Sequence, residues 1–177
     1  GDDKEVLQYM DAHIATKSQA ILKHRGIIGD VVLTAGPAGP RIDGLFVKPS
    51  VRHKELSVDV DLAGLKSAGP ATLVASVVNC QTGGTDKSWA LDVALPAPDK
   101  SGEAVLSDVK LPWENPALWD YKQPNLYTLK VAIKGAGLDD EFSQRFGFRE
   151  FGIEGRRFLL NGRPYNFRLH GLDEATP

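Results

Sequence analysis

Hydrophobic and polar positions alternate along most of this chain, and the period of the alternation changes near residue 40. Before that point apolar residues recur at helical spacing: Val6, Leu7, Met10 and Ile14 follow a run of acidic residues, which favour the positive end of a helix dipole. This predicts a short N-terminal helix. Gly26 and Gly29 interrupt any continuation, "DVVLTA" from Asp30 has the β-branched bias of a strand, and the Gly/Pro cluster from Gly36 to Pro40 reads as a linker.

From Arg41 onward the period is two. "KELSVDVDLAGL" sets Leu56, Val58, Val60 and Leu62 against Ser57, Asp59 and Asp61, the pattern of a strand with one face buried and one wet. "RIDGLFVKPSV", "ATLVASVVN", "SWALDVAL", "AVLSDVKL", "NLYTLKVAI" and "DEFSQRFGFRE" are strand-like too, divided by Gly, Pro, Asp and Asn clusters. About seven short strands with no helix between them predict an all-β, immunoglobulin-like antiparallel β-sandwich. Tyr127 opens the sixth strand, where such sandwiches often place a tyrosine whose hydroxyl bonds nearby backbone; ordinary packing is the alternative. Further on, "LLNGRP" predicts a hairpin with Asn161 and Gly162 as its two-residue turn, because this pair tolerates positive φ at both turn positions.

Composition narrows the chemistry. A chain of 177 residues with 42% hydrophobic and 25% charged positions is of ordinary globular type, and a net charge of −2 with scattered Lys and Arg argues against nucleic acid as a partner. Apolar runs such as "LVASVV" fall far short of the roughly 20 residues a membrane-crossing helix needs, so no membrane span is expected. The single cysteine, Cys80, ends an apolar strand and reads as a small buried hydrophobe rather than a nucleophile.

Catalytic signatures are missing. His13, His24, His53 and His170 lack metal-ligand spacing, and no metal or other cofactor is expected. "TGGTDKS" lacks the Gly-Lys-Ser/Thr order of a phosphate loop and reads as a hairpin connection. Asp59 and Asp61 share a strand face, where solvation explains them more simply than acid/base work. Trp113 and Trp119 lie in "LPWENPALWDYKQPNLY", a Pro-rich aromatic stretch that either stacks on sugar rings or pins a long connection onto the sandwich.

Three phrases, taken together, resemble boundary segments of glycoside hydrolase family 2, which contains β-galactosidases, β-glucuronidases and β-mannosidases. They are "HRGIIGDVVL" from His24, "ENPALWDYKQPNLYTLKV" from Glu114 and "RFGFREFGIEGRRFLLNGRPYNFRLHG" from Arg145, in the order the family has them. The resemblance implies an internal piece of a larger enzyme. Residues 1–36 would be the tail of a sugar-binding jelly roll, 37–150 the immunoglobulin-like sandwich, and 151–177 the truncated start of a TIM-barrel catalytic domain. The partners would then be the neighbouring jelly roll and barrel, together with the carbohydrate substrate of the parent enzyme.

The family's acid/base and nucleophile are two glutamates on later barrel strands, about 5 Å apart in a retaining mechanism. Neither segment is in this chain, so the resemblance assigns no catalytic residue here and implies that the piece alone is inactive. Glu114 precedes an Asn, the reverse of the family's Asn-Glu motif, and takes no catalytic role. "LHGLDEA" puts His170 where the family often has Arg, Asp173 at an Asn position and Ala175 at a His position. This leaves His170, Asp173 and Glu174 as candidates for the rim of the sugar site. A free-standing carbohydrate-binding or adhesion-type sandwich is the competing expectation. A periplasmic or secreted bacterial setting is the working expectation for location.

Overall fold

The computed structural model describes Val31 and residues 39–166. The chain divides into two units, Gly1–Gly36 and Pro37–Pro177, and residues 39–166 belong to the second. The expected N-terminal helix lies outside the described residues.

Seven strands follow one another as the alternation predicts: β1 (Arg41–Ser50), β2 (Glu55–Ala63), β3 (Gly69–Asn79), β4 (Thr85–Leu95), β5 (Ala104–Pro112), β6 (Tyr127–Gly135) and β7 (Leu138–Phe146). They form two antiparallel sheets, one ordered β1-β2-β5 and the other β4-β3-β6-β7. This is the strand order of an immunoglobulin-type sandwich with four strands opposite three. Every second residue of the central strands enters one core. Leu56, Val58, Val60 and Leu62 of β2 join Leu73, Ala75 and Val77 of β3 and Leu129, Val131 and Ile133 of β6. Across β3 and β6 the register sets Leu73 beside Ile133, Ala75 beside Val131 and Val77 beside Leu129, so inward rows stay aligned.

The β1-β2-β5 sheet carries an irregularity that the alternation does not announce. Ser57, on the nominally wet face of β2, is buried, and its hydroxyl bonds the carboxylate of Asp108. Asp108 has φ of 60° at a register shift in the β2–β5 pairing, and its N–H donates to Asp59 Oδ1 at 2.8 Å. The bulge folds Asp108 back over β2 and gives the buried hydroxyl its partner.

Cys80 corrects an expectation. It is exposed, because the strand ends at Asn79 and the chain turns there. The Asn79 side chain caps that turn by accepting from the N–H groups of Gln81 and Thr82.

A second, smaller sheet follows the sandwich: β8 (Phe151–Glu154), β9 (Arg157–Leu160) and β10 (Arg163–Pro164), ordered β10-β9-β8. Asn161 and Gly162 make the turn between β9 and β10 with φ of 55° and 75°, and Leu160 pairs Arg163 across it.

Candidate functional site

Aromatic and charged side chains gather at one end of the sandwich. There the β1–β2 turn, the long connection from Trp113 to Leu126 and the segment after β7 meet. The connection is ordered by its own polar groups: Asp120 and Gln123 exchange backbone bonds, and the Asn125 side-chain amide donates to the Leu118 carbonyl at 2.9 Å.

Tyr127 anchors its end. The ring is fully buried, burial raises the phenol's pKa, and its hydroxyl accepts from the Ala117 N–H at 2.9 Å. Both expectations for this residue therefore describe it, since it packs and it bonds nearby backbone. Trp113 is also buried, meeting Tyr127, Phe148 and Trp89 edge to face at centroid distances of 4.9, 5.5 and 6.4 Å. Such a ring has no face turned to solvent.

Trp119 is half-buried. The Arg149 guanidinium lies 4.5 Å from its ring centroid, and the ring packs so closely on Gly147 that a Cβ there would come within 2.8 Å of it. These placements fit the pinning role for both tryptophans. His170, Asp173 and Glu174 lie outside the described residues.

Below the connection, a shallow cleft is lined by Val51, Lys54, Glu114, Asn115, Pro116, Leu118 and Phe148. Lys54 and Glu114 pair at 2.8 Å on its rim, and this contact holds the Lys54 pKa above its ordinary value. Beside the cleft stands Glu150, which sequence reasoning passed over. Its carboxylate accepts from the N–H groups of Val51 at 2.7 Å and Arg52 at 3.0 Å, and it pairs with the Arg52 guanidinium. Desolvation pushes its pKa up, but these donors outweigh it and the net shift is downward.

Asp59, Asp99 and Asp108 are lowered as well, chiefly by bonds from Lys48, from the Ser101 hydroxyl and from Ser57 respectively. A general acid needs the opposite shift; Asp59, Asp108 and Glu150 pair with Lys48, Lys110 and Arg52, and Asp99 accepts from the Ser101 and Glu103 N–H groups. Asp59 is tied to Lys48 at 2.7 Å and is no partner for Asp61 in acid/base work. Among the described residues no group of His, Cys, Asp or Glu has the arrangement of a metal site.

Comparison with known proteins places the chain. The family model described as glycosyl hydrolases family 2 matches residues 41–149, more than half of the sequence, from the first residue of β1 to three residues past β7. This chain belongs to glycosyl hydrolases family 2. Within the family it is similar to a β-galactosidase of Thermoanaerobacterium thermosulfurigenes, at 41% identity over 68 residues, which are 38% of this chain and 8% of that protein.

Among solved structures it is similar to a glycosyl hydrolase family 2 member from Bacteroides cellulosilyticus, with a TM-score of 0.55 and 22% identity over 71% of this chain and 18% of that one. It is similar also to Bacteroides uniformis β-glucuronidase 2, with a TM-score of 0.50 and 22% identity over 73% of this chain and 17% of that one. At these identities the likeness is one of fold. The family 2 chain thus spans under a fifth of the length of each of these relatives.

Proposed function

We propose that this chain is the sandwich section of a larger family 2 glycoside hydrolase. Its work is to hold the catalytic barrel and a preceding jelly roll in fixed relation while the barrel hydrolyses a β-glycoside. The observation that carries the reading is the coincidence of the family match with the sandwich itself, residues 41–149, together with the small share of each relative that the chain spans. In this reading residues 1–36 close the jelly roll, 37–150 are the sandwich, and 151–177 open the barrel, where His170, Asp173 and Glu174 would stand near the sugar-binding rim. The downward shifts of Asp59, Asp99, Asp108 and Glu150 are the wrong sign for the general acid of such a reaction.

The test is to read the source open reading frame beyond Pro177 and to assay its whole product and the 177-residue chain side by side on aryl β-galactosides and β-glucuronides. Hydrolysis by the longer product alone is expected. Hydrolysis by the 177-residue chain, or an open reading frame without a barrel, overturns the proposal.

A further inference from the structure

The sheet β8-β9-β10 contributes nothing to the core. From Arg149 to Asn166 every side chain is half-buried or exposed, and Phe148 is the last of the described residues in the core cluster. Where no shared apolar core sets a docking angle, directional bonds must do so, because hydrogen bonds weaken steeply as they bend.

Here such bonds converge on two residues. Glu150 reaches one way with its carboxylate, accepting from Val51 N–H, Arg52 N–H and, at 3.3 Å, the Ser50 hydroxyl, and pairing with the Arg52 guanidinium. It reaches the other way with its backbone: its N–H donates to Asn161 Oδ1 at 3.0 Å and its carbonyl accepts from Asn161 N–H at 2.7 Å. Asn161 then donates from Nδ2 to the Trp119 carbonyl at 3.0 Å, and Trp119 N–H donates to the Phe148 carbonyl at 2.9 Å. The circuit joins the β1–β2 turn, the long connection and the β9–β10 turn, and a second link, the Tyr121–Tyr165 ring pair at 5.9 Å, lies beside it.

We propose that Glu150 and Asn161 form an orientation lock that fixes the direction in which β8–β10, and any chain continuing from it, leaves the sandwich. The Glu150 side chain is only 16% exposed, so tilting the sheet would strand a partly desolvated carboxylate and several backbone donors together. The lock stands apart from the enzyme reading; where that reading holds, it sets the attitude of the following domain.

Residue-resolved amide hydrogen exchange on the whole 177-residue chain tests it, with Glu150→Gln and Asn161→Asp. The second variant keeps the Oδ1 acceptor and a residue that tolerates the left-handed turn, and replaces the Nδ2 donor with a carboxylate oxygen that faces the Trp119 carbonyl. Glu150→Gln should speed exchange at Val51, Arg52 and the amides of β8 and β9 by about tenfold or more, while core amides of β3 and β6 change by less than about threefold. Asn161→Asp should speed β8–β10 alone, by a smaller factor, and carries the test by itself if the first variant does not fold.

Three results would overturn the lock: β8–β9 amides unprotected in the parent chain, no change there in either variant, or a loss spread evenly over β3 and β6. Failure of the enzyme reading would appear only in the glycosidase assays and would leave this exchange pattern untouched.

Discussion

The sandwich and the small sheet that follows it are both antiparallel β-structure, yet different forces hold them. In the sandwich, inward rows from β2, β3 and β6 meet in one apolar core with Trp113, Tyr127 and Phe148 closing its end. In β8-β9-β10, Ile153 is 68% exposed and Phe151 51%, and beside the Tyr121–Tyr165 ring pair the hydrogen bonds that tie the described residues to the sandwich run through a carboxylate, an amide and backbone groups. Apolar burial is non-directional and scales with area, so it sustains a fold but tolerates sliding. Polar circuits add less free energy and hold geometry more tightly. The proposed role of positioning neighbouring domains would draw on the first in the body of the sandwich and on the second at its exit.

Mutations can break or sharpen that contrast. The largest effect is expected for Phe148→Ala, which empties a fully buried site among Trp113 and the core and should cost about 3–5 kcal/mol in urea unfolding. Gly135→Ala comes next. Its φ is 145° and a Cβ would lie 2.5 Å from Ala71 Cα and the Pro70 carbonyl, so strain and overpacking together should cost about 2–4 kcal/mol in the same measurement. Tyr127→Phe keeps the packing and removes the acceptor of the Ala117 N–H, for a loss of about 1 kcal/mol by thermal unfolding.

Acid should act on the exit before it acts through Glu150 on anything else. The Glu150 pKa is lowered in the fold from an ordinary value of 4.5, so its contribution is fully present above that value and fades as pH falls through the lower, folded one. Protection at Val51 and Arg52, taken relative to the intrinsic exchange rate at each pH, should fall in that acidic window, and Glu150→Gln should abolish the fall. The smallest effect belongs to Ile153→Ala on the exposed sheet, within about 0.5 kcal/mol of the parent in urea unfolding. A large loss there would mean that β8–β10 shares the core after all.

Much of this molecule could be read before it was seen, and the reason is local. Alternation at Leu56, Val58, Val60 and Leu62 is a property of one extended segment, and so is the demand for positive φ that Asn161 and Gly162 meet. The ordered family phrases are likewise strings of neighbours. By itself, then, the sequence determined that there would be seven strands in a sandwich, a tight turn after Leu160 and membership of a glycosidase family.

Only the tertiary structure decided what lay opposite each segment. Ser57 is buried because a bulge on another strand brings Asp108 over it, Cys80 is exposed because its strand stops one residue earlier, and Trp113 turns inward because Tyr127 and Phe148 receive it. Glu150 is the last residue of the strand-like run "DEFSQRFGFRE", and its donors at Val51 and Arg52 stand 99 and 98 residues away along the chain. Which side chain meets which backbone across such a distance follows from sheet pairing and core closure, and no local pattern encodes it.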